Sequence, residues 1–408
     1  MTKVLLVAVH HRQSDFEDSV EETKQLIEAC DYEWLLTVTQ NSSDETPTYV
    51  KSGKVDELID HITNQEVDMV VTNDELSPSQ HRNLEEILGV DVMDRTQLIL
   101  NIFEKRAQSK EAKLQVEVAT LSYLLPRTNL QLHTVGRQRG GGARNKGAGE
   151  KALALSKRVT EKQLMKAEVA LKVMEVQRLT QRQKRHKNNM FTVALVGYTN
   201  AGKSTLMNQL MRLTAQNDKL VSEKNRLFET LQTATRIIET QGNRFILSDT
   251  VGFVSRLPHN LVKSFRSTLE EVKDADLLIH VADGSSDKAL SQQQITLDTL
   301  KDMEVSDKPM ITVYNKMDLV ERSDYPELCI SAKTGDHCDD LLDLIVEKMQ
   351  VIQDTIKLLI PYEKNNILKS IQKEYQVESI QSVDEGYLVK VKFASTLDPQ
   401  YLIYRQVD

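Results

Sequence analysis

The sequence predicts a multidomain α/β protein, and three observations support this fold class. At 408 residues the chain is longer than a single hydrophobic core usually allows. Short apolar strands alternate with polar, helix-like stretches before residue 95, and a strand, a glycine-rich loop and a helix follow one another from residue 191. The predicted parts are an N-terminal α/β domain (1–94), a long helical hairpin (95–190), a central domain with a mainly parallel sheet (191–354) and a small α+β C-terminal domain (355–408).

The composition is that of a globular protein. Hydrophobic residues make up 40% of the chain and charged residues 27%, with 15 glycines and 8 prolines, which excludes fibrous and low-complexity classes. The apolar run at the start is too short for a signal peptide, and no stretch approaches the ~18 apolar residues of a membrane span. We therefore expect a cytoplasmic protein with no membrane partner. Three cysteines without paired spacing predict neither disulfides nor structural zinc: Cys30, Cys329 and Cys338.

The net charge of −8 hides a strongly basic segment. Residues 101–190 contain 20 Lys and Arg against 7 Glu and no Asp, a local charge of +13, so the rest of the chain carries −21. Six of the 15 glycines fall between positions 136 and 149. A basic, glycine-rich segment inside an acidic chain indicates a polyanionic partner.

The N-terminal domain is predicted from apolar strands at 3–9, 33–39 and 67–74, separated by helix-like stretches. This alternation is typical of a small, mainly parallel sheet. Its loops carry no catalytic constellation, so a docking or scaffold domain is the favoured interpretation.

The helical hairpin is predicted from two stretches with apolar residues at helical spacing. Asp94, with Gln97 three residues later, resembles a capping box at the start of the first stretch, and Pro126 is predicted to end it. The second stretch runs from about 150 to 185. The two seams bury each other best as an antiparallel pair, with Leu114, Val118, Leu121 and Leu125 facing Leu164, Ala167, Leu171 and Met174.

A glycine- and arginine-rich loop at about 127–150 joins the two stretches. Glycine disfavours a helix by roughly 1 kcal/mol relative to alanine, and the cations repel one another until a polyanion neutralises them. Two interpretations remain open, a solvated linker and a loop that inserts into RNA. With 8 Lys and Arg against one Glu between 127 and 158, RNA contact is favoured, through Arg127, Arg137, Arg139, Arg144 and Lys146.

A phosphate-binding loop follows the strand FTVALVG in the central domain. The segment fits G-x-x-x-x-G-K-[ST] between a strand and an apolar helix start, where backbone N–H groups and the helix dipole suit phosphate oxygens. Lys203 is expected to bridge the β- and γ-phosphates and act in catalysis, and the Ser204 hydroxyl to bind Mg²⁺. The predicted phosphate-site residues are Gly197, Tyr198, Thr199, Asn200, Ala201, Gly202, Lys203, Ser204 and Thr205.

Two later segments predict that the bound base is guanine. In NKMD, the Asp318 carboxylate can accept from the guanine N1–H and 2-amino groups, whereas adenine would leave this charge unpaired. Asn315 can contact the ring N7, and the stem of Lys316 can cover the base face. The segment that follows the strand ELCI is Ser331-Ala332-Lys333, and the backbone N–H of Ala332 suits the guanine O6.

The segments between these motifs predict a nucleotide-sensing switch. Asp249, at the end of the strand FILSD, is placed to reach Mg²⁺ through water, and the Gly252 amide can sense the γ-phosphate. Upstream, TATR follows a polar stretch, and one of its threonines should close over Mg²⁺. Thr235 is the predicted switch threonine, with Thr233 as the alternative.

The C-terminal residues predict a strand, a helix and then a two-stranded hairpin about Asp384–Gly386. This order is typical of a small α+β module. It carries no recognisable site chemistry.

The motifs GYTNAGKS, TATR, DTVGF, NKMD and SAK together resemble a translation-factor-class GTPase. The resemblance implies a P-loop GTPase domain with GTP as substrate and Mg²⁺ as cofactor. Phe253 stands where signalling GTPases carry the glutamine that positions water, which implies slow intrinsic hydrolysis and stimulation by a partner. Asn200 stands where potassium-assisted members of this class carry a cation-binding asparagine, so it is either a K⁺ ligand or ordinary loop sequence.

Segment order resembles the HflX family of ribosome-associated GTPases over essentially the whole chain, from residues 73–127 through the glycine-rich loop and basic helix to the GTPase domain. The resemblance implies binding to the large ribosomal subunit and GTP-linked splitting of stalled or idle ribosomes. It also implies that the N-terminal domain and the loop reach rRNA near the peptidyl-transferase centre. The family usually follows the loop with Gly-Pro-Gly-Glu-Thr, where this chain reads GAGEKALALSKR, so a specialised paralogue of the antibiotic-resistance type stays open.

Two other functions remain open at the level of sequence. One is a potassium-dependent GTPase in tRNA modification or ribosome assembly, and the other is an RNA-binding module that holds GTP as a structural ligand. The expected partners are the large subunit and its rRNA, with no DNA, and the expected state is a monomer.

Overall fold

The computed structural model describes residues 1–11, 15–42, 44–137, 146–187, 190–214, 234–255, 271–320, 324–352, 354–393, 401 and 403–406. They form two compact units, the first mainly residues 1–173 and the second most of residues 174–408. Within these ranges no helix has the length and apolar character needed to cross a membrane. The predicted fold class, a multidomain α/β protein, is confirmed.

The first unit contains a four-stranded parallel sheet in the order β2-β1-β3-β4. The predicted strands are present, and β4 is a short edge strand that the sequence did not reveal. The strands are β1 (Lys3–His10), β2 (Glu33–Asn41), β3 (Met69–Thr72) and β4 (Asp91–Met93). The accompanying helices are α1 (Phe16–Ala29), α2 (Ser52–Gln65), α3 (Pro78–Leu88) and α4 (Arg95–Arg106).

Helix α4 packs into the core of this first unit. The Asp94 carboxylate caps it by accepting from the Gln97 backbone N–H at 2.9 Å, as the spacing predicts. Leu98, Ile99 and Ile102 on this helix are fully buried. We therefore propose to move the domain boundary from residue 94 to about residue 107.

Two long helices follow, α5 (Lys110–Arg137) and α6 (Lys146–Lys187). Part of the predicted seam forms, where Leu114 and Val118 of α5 pack against Leu164, Ala167 and Leu171 of α6.

The prediction that Pro126 ends the first of these helices is wrong, because α5 continues through this proline to Arg137. Proline removes one helical hydrogen bond and usually kinks or ends a helix. Here the next residue secures the same turn, since the Arg127 guanidinium donates to the carbonyl oxygens of Tyr123 at 3.0 Å and Leu76 at 2.7 Å. Pro126 itself is exposed, so its ring displaces no packed side chain.

The central domain has a six-stranded sheet in the order β10-β9-β8-β5-β7-β6. Neighbouring strands are parallel except for the antiparallel β6–β7 pair. The strands are β5 (Phe191–Val196), β6 (Ala234–Thr240), β7 (Asn243–Asp249), β8 (Leu277–Asp283), β9 (Met310–Asn315) and β10 (Leu328–Cys329). Among the described residues of this domain, the α-helices are α7 (Lys203–Leu213), α8 (Ala289–Asp302) and α9 (Cys338–Ile352). The carboxyl ends of the parallel strands meet at one edge, where such sheets bind ligands.

The C-terminal domain follows the predicted order of strand, helix and hairpin. Its elements are β11 (Asp354–Ile360), α10 (Asn365–Glu374), β12 (Gln376–Val383) and β13 (Gly386–Phe393). The three strands form an antiparallel sheet in the order β11-β13-β12. Its core is built mainly from Leu358, Ile360, Leu368, Ile371, Val389 and Val391.

Candidate nucleotide-binding site

The phosphate-binding loop joins the carboxyl end of β5 to the first residue of α7, Lys203. Two of its glycines adopt positive φ angles and lie against atoms of neighbouring strands, which leave no space for a side chain. A Cβ atom at Gly197 (φ +148°) would lie 2.2 Å from the Val281 carbonyl oxygen, and one at Gly202 (φ +92°) would lie 2.2 Å from Asn315 Nδ2. Only glycine fits these two positions, so the spacing of the motif reflects the space available. Asn200 is also left-handed, at φ +61°, and its side chain is exposed.

The Lys203 side chain folds back over this loop. Its ammonium group donates to the carbonyl oxygens of Gly197 at 3.0 Å and Tyr198 at 2.7 Å. Burial lowers the pKa of Lys203 to about 8, although the nearby Asp249 carboxylate partly opposes the shift. A buried cation beside a row of loop amides is the arrangement that binds a phosphate chain.

Ser204 and Asp249 meet beside this loop. The Ser204 hydroxyl donates to Asp249 Oδ2 at 2.6 Å, and the aspartate is fully buried at the end of β7. Hydroxyl and carboxylate oxygens are the hard donors that Mg²⁺ prefers, so this pair fits the metal. Thr205 follows in the same first turn of α7.

The segment after β7 is hydrogen-bonded to the phosphate-binding loop through Phe253. The Thr199 N–H donates to Phe253 O at 2.7 Å, and the Phe253 N–H donates to Gly197 O at 3.1 Å. Gly252 therefore lies against the loop, and a Cβ atom there would be 2.7 Å from Thr199 Cα and 3.0 Å from Lys203 Nζ. The Phe253 ring is 3% exposed, so it is packed inside the protein.

The structure does not bring Thr235 to the predicted magnesium residues. Thr235 lies in β6 directly opposite Ser248 of β7, and the two hydroxyl oxygens are 3.5 Å apart. Because successive side chains on a strand alternate between the faces of a sheet, Thr235 and Asp249 point to opposite faces. Thr235 is therefore not retained as the switch threonine, and its alternative, Thr233, lies outside the described residues.

Asn315 connects the predicted base-binding segments to the phosphate-binding loop. Its side-chain amide donates to Ala201 O at 2.9 Å, and its Oδ1 accepts from the Ala332 N–H at 2.9 Å. The N–H that the sequence assigns to the guanine O6 is therefore paired with Asn315 in this structure. The phosphate-binding loop that follows β5 thus contacts the end of β9, although β8 lies between the two strands, and one nucleotide can contact both segments. This buried amide, 2% exposed, joins three segments that are far apart in the sequence.

Asp318 lies in a short 3₁₀ turn that follows β9. The Ser331 hydroxyl donates to Asp318 Oδ1 at 2.8 Å, and Lys333 Nζ lies 3.9 Å from Oδ2. Lys316 adopts a left-handed backbone, with φ +66°, and its ammonium contacts Asp283 Oδ2 at 2.7 Å. Sequence reasoning missed Asp283, although β8 ends there at the same sheet edge as Asn315 on β9.

The structure describes three of the predicted RNA-contacting residues, Arg127, Arg137 and Lys146, and all three belong to the first unit. Arg127 is corrected here, since its side chain is 11% exposed and contacts Asp94 Oδ2 at 3.2 Å and the Tyr123 ring at 3.6 Å. It holds α5 in place instead of facing a partner. Arg137 and Lys146 are end residues of α5 and α6, whereas Arg139 and Arg144 lie outside the described residues.

Family models match three parts of the chain: "GTP-binding GTPase N-terminal" at residues 17–104, "GTP-binding GTPase Middle Region" at 106–185 and "50S ribosome-binding GTPase" at 192–316. The GTPase HflX of Caldanaerobacter subterraneus is 39% identical over 398 residues, covering 96% of this chain and 90% of the relative. This chain belongs to the HflX GTPase family. The HflX of Alkalihalophilus pseudofirmus is 38% identical and covers 94% of the chain and 91% of the relative.

Solved structures give a weaker likeness than these HflX relatives. A GTP-binding protein from Sulfolobus solfataricus in complex with GDP is similar at a TM-score of 0.45 and 24% identity, covering 85% of this chain and 98% of that chain. Membership of the HflX family and the matched GTPase domain make the chain a GTP-hydrolysing enzyme. The predicted resemblance to this family is confirmed.

Proposed function

We propose that this HflX-family enzyme binds the large ribosomal subunit and uses GTP binding and hydrolysis to split or rescue stalled ribosomes. The observation that carries the proposal is the joined site at the end of β5 and β9, since Asn315 ties the phosphate-binding loop to the base-binding segment through a 2.9 Å hydrogen bond to Ala201. The match to a model described as a 50S ribosome-binding GTPase supports the choice of partner.

In this proposal different residues bind the phosphates, the base and the magnesium ion. Lys203 and the loop amides hold the phosphates, and Asp318, Asn315 and Lys316 hold the guanine. Ala332, with its neighbours Ser331 and Lys333, completes the base pocket. Ser204 and Asp249 hold Mg²⁺, which when bound neutralises charge on the β- and γ-phosphate oxygens.

Phe253 supports slow hydrolysis by the enzyme alone. Its ring is buried and its backbone is hydrogen-bonded to the loop at Gly197 and Thr199. A phenylalanine has no polar group to orient a water molecule, so the rate depends on a group that a partner supplies or orders. The exposed Asn200 is the proposed K⁺ ligand, and replacing K⁺ by Na⁺ at constant ionic strength should then slow hydrolysis.

The basic segment between α5 and α6 is the proposed rRNA contact. Arg127 is removed from this set because it is engaged with Asp94, which leaves Arg137, Arg139, Arg144 and Lys146. Each phosphate contact that these residues make releases counterions, so binding should weaken steeply with salt. A plot of log affinity against log salt concentration has a negative slope. Neutralising all four residues should reduce the magnitude of that slope by about 3 to 4, so that binding depends less on salt. An unchanged slope would restore the linker interpretation.

The ribosome proposal is tested by single-turnover GTP hydrolysis with and without purified large subunits. We expect stimulation by large subunits of at least about tenfold, since a partner that completes a GTPase site typically accelerates it far more than that. Sedimentation with a non-hydrolysable GTP analogue should show joined ribosomes separating into subunits. The proposal would be refuted if large subunits did not change the hydrolysis rate and if the ribosomes stayed joined in the sedimentation experiment. Stimulation by a precursor particle alone would favour a role in assembly.

The guanine-site roles are tested separately with Asp318→Asn. The amide has an N–H donor where the carboxylate had only acceptors, so the variant should lose affinity for GTP and gain affinity for xanthosine triphosphate, whose base carries an oxygen at the 2-position. Competition binding with both nucleotides measures the switch. Unchanged preference for GTP would mean that Asp318 does not contact the base.

A further inference from the structure

The carboxylate of Asp283 is held in one orientation at the end of β8. Its Oδ1 accepts from the Ser285 N–H at 3.1 Å and from the Ser285 hydroxyl at 2.6 Å. Its Oδ2 lies 2.7 Å from Lys316 Nζ, in an ion pair whose side chains are only 17% and 23% exposed. Both oxygens are therefore engaged, and the carboxylate cannot turn away from the lysine without losing contacts to Ser285.

The turn that carries Asp283 is also packed against the backbone of the base-binding segment. Asp283 is the register partner of Asn315 in the β8–β9 pair, and the Gly284 N–H donates to Asn315 O at 2.8 Å. A Cβ atom at Gly284 would lie 2.6 Å from Met317 Sδ. The turn that holds the Lys316 ammonium group is thus also hydrogen-bonded to the backbone of the residue before Lys316 and packed against the side chain of the residue after it.

Lys316 needs such a fixed point if its stem is to lie flat over a base. A lysine side chain has four rotatable carbon–carbon bonds and loses rotamer freedom when it is held in one conformation. Because the ammonium group of Lys316 is already anchored, the side chain is ordered before the nucleotide binds. Binding then costs less conformational entropy, and the affinity is higher.

We propose that Asp283 is a positioning residue for guanine nucleotides, which holds Lys316 in the conformation that covers the base. The inference rests on the proposed guanine site, and it goes beyond that site by adding a residue outside the recognised motifs. Because the base is common to substrate and product, Asp283 should affect GTP and GDP equally. Its loss should act mainly on the dissociation rate, since a mobile Lys316 no longer covers the bound base.

The test is nucleotide binding by the full chain without ribosomes, measured with fluorescent GDP and with a fluorescent non-hydrolysable GTP analogue. Asp283→Asn keeps a side-chain acceptor for Ser285 and removes the charge that pairs with Lys316. We expect about fivefold weaker binding of both nucleotides, the upper range for a partly exposed ion pair, with a dissociation rate about fivefold faster. Ser285→Ala, which loosens the same carboxylate and keeps its charge, should give about a twofold loss.

A double-mutant cycle with Lys316→Ala separates positioning from a general structural effect. If Asp283 acts through Lys316, the double variant should bind no more weakly than Lys316→Ala alone. The matched control is Glu378→Gln, which removes an ion pair of the same 2.7 Å length with Lys390 in the C-terminal domain and should leave nucleotide binding unchanged.

Three outcomes would overturn the inference: unchanged binding by both Asp283→Asn and Ser285→Ala, a loss confined to one nucleotide, or losses that multiply in the double variant. Failure of the guanine site itself has a different signature. In that case Asp318→Asn would leave the preference for GTP intact, and Lys316→Ala would bind like the unchanged protein.

Discussion

Lys203→Met should make the central domain more stable and at the same time abolish GTP binding. The substitution replaces a buried ammonium group by an apolar chain of similar length. Lys203 is 6% exposed, and burial lowers its pKa from 10.5 to about 8. The lowered pKa means that the folded domain holds this charge at a cost near neutral pH.

The size of that cost follows from the pKa. Each pKa unit corresponds to about 1.4 kcal/mol, so the charged form costs about 3 kcal/mol at pH 7, a figure that already includes attraction to Asp249. Methionine would remove this cost but lose two hydrogen bonds to Gly197 O and Tyr198 O, at about 1 kcal/mol each. The net gain is about 1 kcal/mol, or roughly 2–4 °C in Tm for a domain of this size.

The gain should depend on pH in a defined direction. The folded-state pKa of Lys203, about 8, lies below its unfolded value of 10.5. Between these values the unfolded chain binds more protons, so the stability of the unchanged protein rises as pH increases from 8 to 10.5. The advantage of Lys203→Met over the unchanged protein should therefore shrink over this range.

Scanning calorimetry without added nucleotide, at pH 7 and pH 9.5, measures both effects. The central-domain transition is the one that GTP shifts upward in the unchanged protein. Lys301→Met, at an exposed position of α8, is the control and should move this transition by less than about 1 °C. A variant that melts below the unchanged protein at pH 7, or an advantage that does not change with pH, would refute the burial cost.

Three further predictions concern single residues. Gly202→Ala forces a Cβ to within 2.2 Å of Asn315 Nδ2 at a φ of +92°, so the central domain should lose at least about 2 kcal/mol in calorimetry and its GTP affinity should fall. Arg127→Ala leaves the buried Asp94 carboxylate without its cation, and the first unit should lose about 3 kcal/mol in urea unfolding followed by Trp34, the single tryptophan. Burial, together with the nearby charge of Lys203, lowers the pKa of His280 to about 4, below its unfolded value of 6.5. The unfolded chain therefore binds more protons below pH 7, and the free energy of unfolding of the central domain should fall by about 2 kcal/mol from pH 7 to pH 5. His280→Asn should remove most of this pH dependence.

The phosphate and base motifs could be predicted from sequence because their spacing is set by short-range geometry. Glycine is required at positions 197 and 202 because a Cβ atom at either one would lie 2.2 Å from a neighbouring atom, so any functional loop of this shape must show the same residues. The joining of the two motifs was predictable as well, because parallel strands deliver their carboxyl ends to one edge of a sheet.

The places where prediction failed are those decided by long-range packing. Pro126 is a strong local signal for a helix end, yet Arg127 anchors the same turn to Leu76, which is 51 residues away in sequence. The same anchor removes Arg127 from the RNA-contacting set, because a sequence reveals that a residue is basic and not that a buried aspartate already binds it. The position of Thr235 depends on long-range pairing as well, since the register of β6 on β7 places it opposite Ser248.

Backbone hydrogen bonds link the phosphate-binding loop to the segment that contains Gly252 and Phe253. Thr199 and Gly197 are both hydrogen-bonded to the backbone of Phe253. Gly252 lies so close to Thr199 Cα and Lys203 Nζ that a side chain would not fit at this position. A phosphate chain that draws Lys203 away from Gly197 O and Tyr198 O must therefore alter the surroundings of Gly252 as well. A substitution that fills the space at Gly252 should therefore also displace the ammonium group of Lys203, which would lie 3.0 Å from the added Cβ atom.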